Sequence, residues 1–538
     1  MENRFFDKLG VMIDCSRNAV LKPEAVRKMI DLLSQMGYNF LMLYTEDTFQ
    51  CNNQPYFGHL RGRYTKEELK ELDQYAQEKG LELMPCIQTL AHLNGLRRWP
   101  VYQEYFDCHD ILLCGEEKVY ELFEDMFATL KECFHSRTVN IGMDEAEFVG
   151  LGNYLKQHGY QADRTEILLN HLTRVAEIGA RYDFQLVMWG DMFYKLAAGE
   201  GKNKQVSPEV RRRLPKNVKL IYWDYYSTEE SHYDDHFSVY KQMQDELWFA
   251  GGTWTWTGFA PHIDFSVKAS QAAMASCKKW GVRNYFTTLW GDDGGECSRF
   301  SILPHLFWLA ETAKGITDME QIRQDFLALT GIPYEDFCLA ELPGTPNLQE
   351  KITNPDKYLL YNDVLLGSMD STINGTEGAQ YAACGEKLKA LANHPEYGVM
   401  FESLEKLCSF LEIKADLGVR LRKAYQAGKK QELEELLPRL EEALVRLEDF
   451  RQAHQRRWLW ENKPHGLDVQ HSRLGGLRQR LEYTRDMLKD YLQGKTDRIE
   501  ELEEEVLPVN EEEPGKAIWS NSWLRAATSN VVTHLWFG

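Results

Sequence analysis

From Leu9 to about Gly291, short apolar runs alternate with longer segments whose apolar positions recur at helical spacing. The runs cover residues 9–14, 40–47, 81–88, 138–145, 184–191, 218–226, 247–256 and 284–292. Between them the periodicity predicts amphipathic helices, among them 23–36 with a proline in its first turn, 66–79 ending at Gly80, 116–134 and 164–182. Strands that are apolar on nearly every residue are buried on both faces, which is the mark of a parallel sheet covered by helices. Eight such strand and helix units in about 300 residues suit a closed barrel better than an open sheet. The expected fold class is therefore α/β, a (β/α)8 TIM barrel. Each run also closes on polar or aromatic residues: Asp14, Glu46 with Asp47, Gln88, Asp144 with Glu145, Trp189 with Asp191, Trp223 with Asp224, Trp254 with Trp256, and Trp290 with Asp292. In a barrel these ends converge on one mouth, so they should line a single site.

The pattern changes after about Lys314. Residues 339–357 contain prolines and lack periodicity, and are read as a linker. Beyond them, 397–423, 430–458 and 474–492 read as long helices rich in Leu, Glu, Lys and Arg. This divides the chain into a barrel over 1–335 and a linker with a mainly α-helical C-terminal domain over 336–538. The last segment, 517–538, is too apolar for a free tail and should pack on the barrel or on a second subunit, as in a homodimer.

Composition narrows the partners. With 538 residues, 43% of them hydrophobic, the chain can bury a large core. Its 62 basic and 82 acidic residues leave a formal net charge of −20, which repels phosphate backbones and anionic membrane surfaces, so neither nucleic acid nor membrane is expected as a partner. The first residues are charged where a signal peptide needs an apolar centre, and no apolar stretch reaches membrane-spanning length, which points to the cytosol. Eleven cysteines show no CxxC pair and no metal-ligand spacing, and are read as reduced core residues. Without a glycine-rich phosphate loop or dinucleotide fingerprint, no cofactor and no metal is expected.

The most informative residues are Asp144 and Glu145, adjacent carboxylates at the end of the fourth apolar run. Mutual repulsion and partial loss of water can hold one protonated while the other stays ionised, as general-acid chemistry requires.

Taken with the segments MIDCSRN, PYFGHLRGRYTKEEL, LMPCIQTLAHL, GMDEAEF and LWGDDGGE, which occur in this order along the predicted barrel, the chain resembles the family 20 glycoside hydrolases, the β-N-acetylhexosaminidases. It is most similar to their intracellular branch, which includes hexosaminidase D and bacterial enzymes with a helical C-terminal domain. The resemblance implies an exo-acting, retaining hydrolase for oligosaccharides or glycoconjugates ending in β-linked GlcNAc or GalNAc, in which the 2-acetamido group of the substrate is the nucleophile. Carried onto this sequence, it makes Glu145 the acid and base and Asp144 the group that steers the acetamido N–H. Tyr225 or Tyr226, with Tyr225 preferred, would grip the acetamido oxygen. Trp189, Trp254, Trp256 and Trp290 would wall the acetamido methyl and the sugar face. Arg17 would meet the outer ring hydroxyls, Asp292 would meet the 4- and 6-hydroxyls, and His92 would support the catalytic pair. Two departures stand out. Cys86 and Gln88 replace the carboxylates that many members place before the histidine, and Glu147 adds a third acid, which either raises the working pH range of Glu145 or points into solvent. Two other readings remain: a non-catalytic sugar-binding barrel, and a metal-dependent hydrolase using Asp14, His92 and Asp144.

Overall fold

The computed structural model describes residues 5–159, 163–198, 204–346, 353–513, 515 and 522–530. Eight parallel strands form a closed barrel: β1 (Lys8–Asp14), β2 (Phe40–Tyr44), β3 (Glu82–Cys86), β4 (Thr138–Asn140), β5 (Gln185–Trp189), β6 (Val218–Trp223), β7 (Trp248–Gly252) and β8 (Asn284–Leu289). Each strand pairs with its neighbours in sequence, and β1 closes the ring on β8, with Met12 opposite Thr288 on one side and Met42 on the other.

The side chains explain why the runs carry no polar alternation. On β1, Leu9, Val11 and Ile13 join the layer between strands and helices, while Met12 points inward; Leu41 and Leu43 of β2 likewise face outward, with Phe40, Met42 and Tyr44 inside. Both layers are apolar, so the strand is apolar throughout. Gly10 has a steric reason: a Cβ there would lie 2.4 Å from the Phe40 ring, which fills the barrel centre.

The predicted helices fall at Pro23–Met36, Lys66–Glu78, Glu117–Cys133 and Arg164–Arg181. Proline opens the first, and Gly37 ends it in the left-handed conformation; Thr65 and Glu68 form a reciprocal capping box on the second.

The C-terminal region is helical, as expected, with three corrections. The predicted helix over 397–423 is two, Gly398–Lys414 and Leu417–Gln426, separated at Ala415 and Asp416. The last long helix begins at Leu467 rather than 474, after Gly466 in a left-handed turn, and so takes in polar residues that blurred its periodicity. The predicted linker is not loose at its end: Pro355–Tyr361 is a helix, and its first three residues are buried against the barrel. Of the apolar terminal segment, 522–530 lies among the described residues. Its helix Trp523–Ala527 places Trp523 on the barrel loop at Asp293 and against Tyr361.

Candidate active site

Asp144 and Glu145 sit just beyond β4, in backbone that departs sharply from the strand. Gly142, Met143 and Glu145 all have positive φ (72°, 74° and 52°), and Glu46, His92 and Asp292 at the same mouth do as well. Left-handed backbone at non-glycine residues is costly and persists where surrounding contacts enforce it. Here the enforcing contact is Gln88. Its amide N–H donates to Asp144 at 2.7 Å, and its oxygen accepts the Met143 N–H at 3.0 Å. A Cβ on residue 142 would lie 2.0 Å from that oxygen, so glycine is required at this crossing.

His92 lies between the two acids, its Nε2 3.3 Å from Asp144 and 3.6 Å from Glu145. Burial opposes charge on the imidazole, but the Asp144 carboxylate outweighs it and lifts the His92 pKa to about 9. In return, although burial disfavours the Asp144 carboxylate, His92 and Gln88 hold it below the ordinary aspartate range. Glu145 moves the other way, to about 7: its walls strip away water, and the negative charges of Asp144 and Asp191 add to this against His92 and Lys195. Its side chain remains about half open to the mouth (49% exposed). The neighbouring carboxyls therefore favour opposite states, Asp144 ionised and Glu145 protonated.

Arg17, His92, Asp144, Glu145, Trp189, Tyr225, Trp256, Trp290 and Asp292 all line one pocket. Tyr225 is pinned through its hydroxyl, which accepts the Trp290 indole N–H at 3.0 Å. Arg17 lies 3.3 Å from Asp14 and 3.4 Å from Glu46, with its guanidinium over the Tyr44 and Trp290 rings. Asp292 is raised to about 6, by burial first and by Asp14, against the pull of Arg17. Trp254 differs from its expected place. It stacks behind Trp256, ring centres 4.6 Å apart, and donates its indole N–H to the Tyr225 carbonyl at 2.8 Å, so it buttresses the wall instead of forming it. Glu147 is paired with Lys195 at the surface.

The site also holds residues that the sequence reading left unassigned. Trp223 lines the pocket, as does Tyr226, the alternative to Tyr225 for the acetamido oxygen. Asp191 accepts the Glu145 N–H at 3.1 Å and the Trp223 indole N–H at 3.3 Å. Gln88, Asp191 and Trp223 each close an apolar run, so their position along the chain was a usable signal. The pocket continues past Arg17, His92 and Asp292 into a cleft of about 700 Å3 between the barrel mouth and the helix Leu467–Leu492. Asp14 is occupied by Ser16, Arg17 and the Gly291 N–H, away from His92. Among the described residues, Asp224, His232 and His236 form a group able to hold a metal ion, but one Asp224 oxygen already accepts both the Tyr222 hydroxyl and an N–H of His232.

The sequence of residues 6–234 matches the model of the glycosyl hydrolase family 20 catalytic domain, and residues 335–520 match that of the glycoside hydrolase 20C C-terminal domain. The chain belongs to glycoside hydrolase family 20. Proteins similar in sequence include Hexosaminidase D of Bos taurus, 27% identical over 37% of this chain and 57% of its own length. Beta-hexosaminidase of Akkermansia muciniphila is 24% identical over 26% of this chain and 34% of its own. The chain thus spans little more than half of the first relative and a third of the second. Among solved structures, a family 20 exo-β-N-acetylglucosaminidase of Vibrio harveyi aligns with a TM-score of 0.45 at 16% identity, over 61% of this chain and 58% of that one.

Proposed function

We propose that this protein is an exo-acting, retaining β-N-acetylhexosaminidase that removes terminal β-linked GlcNAc from oligosaccharides or glycoconjugates, with GalNAc as the 4-epimer to be compared. The observation that carries this reading is the pair Asp144 and Glu145, poised in opposite protonation states at an aromatic-walled pocket in a family 20 barrel. In the first step Glu145 gives its proton to the glycosidic oxygen. The C1–O bond breaks as the acetamido carbonyl oxygen bonds to C1, giving an oxazolinium ion and the free aglycone. Asp144 accepts the acetamido N–H and balances the positive charge, Tyr225 donates to the acetamido oxygen, and protonated His92 keeps Asp144 ionised. In the second step the Glu145 carboxylate takes a proton from water as the water attacks C1, which reopens the ring with net retention.

A sugar-binding barrel without catalysis has no use for a carboxyl lifted to about 7 beside one held low, which favours the enzyme. The reading also keeps a cytosolic setting and a homodimer as expectations, the first supported by eleven unpaired cysteines. The decisive experiment compares nitrophenyl β-N-acetylglucosaminide with the 2-hydroxy glucoside. Cleavage of the first, with at least about a hundredfold preference, and tight inhibition by a thiazoline analogue of the oxazolinium ion are expected. Equal rates on the two glycosides would refute substrate assistance.

A further inference from the structure

The loop that carries Asp292 belongs to the barrel but is held largely by the helical domain. On the barrel side, the Gly291 N–H donates to Asp14 at 2.9 Å. From Asp293 onward the partners change. Arg473, on the helix Leu467–Leu492, donates to the Asp293 carbonyl at 2.8 Å, to the Asp293 carboxylate at 2.9 Å and to Glu296 at 2.9 Å. Gln470, one turn earlier on the same helix, donates to the Gly294 carbonyl at 3.2 Å, and Arg457 to the Glu296 carbonyl at 2.6 Å. Lys357, from the short helix at the end of the predicted linker, pairs with Glu296 at 2.6 Å and with Asp293 at 3.2 Å.

The backbone needs this support. Asp292, Gly294 and Gly295 have φ of 25°, 120° and 66°, so three of these four consecutive residues take backbone shapes that are strained for aspartate and loosely held for glycine. A Cβ at Gly294 would lie 2.7 Å from the Arg473 guanidinium, so loop and side chain are in direct contact. Arg473 and Glu296 are buried, and with three hydrogen bonds fanned across two residues the planar guanidinium fixes an orientation that a point charge cannot.

We propose that Arg473 is a positioning residue through which the helical domain sets recognition of the 4- and 6-hydroxyls of the terminal sugar, by holding the loop that presents Asp292. The inference rests on the hexosaminidase reading above and gives the attached domain a role in substrate selection. Displacement of Asp292 by a fraction of an ångström weakens its hydrogen bonds to the ring hydroxyls while leaving Asp144, Glu145 and the acetamido pocket in place. The effect should therefore appear in KM more than in kcat, and only for sugars that carry those hydroxyls.

The test measures kcat and KM for wild type, Arg473→Lys and Gln470→Ala on nitrophenyl β-N-acetylglucosaminide and on its 4-deoxy and 6-deoxy analogues, alone and in an Asp292→Asn background. Arg473→Lys should raise KM on the parent glycoside by roughly tenfold, with a smaller change in kcat. That penalty should fall below about threefold on at least one deoxy analogue and in the Asp292→Asn background. A penalty of the same size on both analogues, or undiminished beside Asp292→Asn, would mean a merely structural role and overturn the proposal, as would no penalty in either variant. If Arg473→Lys does not fold, Gln470→Ala, which removes one hydrogen bond, carries the same comparison at about two- to threefold. Failure of the wild type to cleave the parent glycoside would instead count against the hexosaminidase reading.

Discussion

At the scale of single residues, the site turns on how unequal environments separate two adjacent carboxyls. Glu145, raised to about 7 by lost water and by Asp144, has to be protonated to act as acid, so activity on poor leaving groups should fall as pH rises through about 7. Asp144, held low by His92 and Gln88 despite burial, has to be ionised, so the acid limb should lie below the ordinary aspartate range. His92, raised to about 9, stays charged across both limbs. Glu145→Gln should lower kcat on alkyl glycosides by roughly a hundred- to ten-thousandfold and remove the alkaline limb. Activated aryl glycosides, whose leaving groups need less protonation, should suffer far less in their first step. A pH profile of kcat/KM on both substrate types checks this, and an alkaline limb that survives in Glu145→Gln would assign it to another group. The pair itself was legible in sequence because two acids ended an apolar run. The third acid, Glu147, was not: only the fold shows that it turns to Lys195 at the surface.

At the scale of elements, periodicity placed all eight barrel strands and the four barrel helices it singled out to within a few residues, because both faces of each strand are buried and leave an uninterrupted apolar signature. It failed where tertiary contact overrides local pattern. The start at Leu467 and the buried helix Pro355–Tyr361 are stabilised by the barrel, and their local cues, Gly466 and Pro355, are equally at home in a loop. The same limit hid the part played by Trp254, which lies two residues past the end of β7 and packs one layer behind the pocket. Gln88 is the most instructive case. From sequence it was a missing carboxylate; in the structure its amide joins the end of β3 to the turn after β4 and donates to Asp144. Gln88→Glu would exchange that donor for a negative charge 2.7 Å from Asp144. A like charge raises a carboxyl pKa, so the acid limb of kcat/KM should move to higher pH in this variant. An acid limb that stays in place would mean that Gln88 acts on the turn alone and not on the charge of Asp144.

At the scale of the whole molecule, barrel and helical domain meet through buried charge. Lys357 is 2% exposed, as are Glu296 and Arg457, and Glu461 is fully enclosed. Glu461 receives hydrogen bonds from Ser298 and the Arg299 N–H on the barrel side and pairs with Arg457 at 2.6 Å on its own helix. Such a network gives modest net stability when complete, since each charge has lost its water. Removing one partner is expensive, because the remaining charge stays buried without compensation. Lys357→Met should therefore destabilise the protein by about 3 kcal/mol, with Arg473 still offsetting part of the charge on Glu296 and Asp293. Lys489→Met, which breaks the surface pair with Glu441, should cost less than about 1 kcal/mol, since both side chains are 40% or more exposed and water already screens them. Thermal melts of the two variants provide the comparison. The loss in Lys357→Met should fall on the contact between domains, so its single transition should broaden or split as barrel and helices unfold separately. If instead Lys357→Met melts within a degree of Lys489→Met and in one transition, the buried charges are incidental to the coupling, and the apolar contacts between Phe259, Phe450 and Tyr361 are what join the two domains.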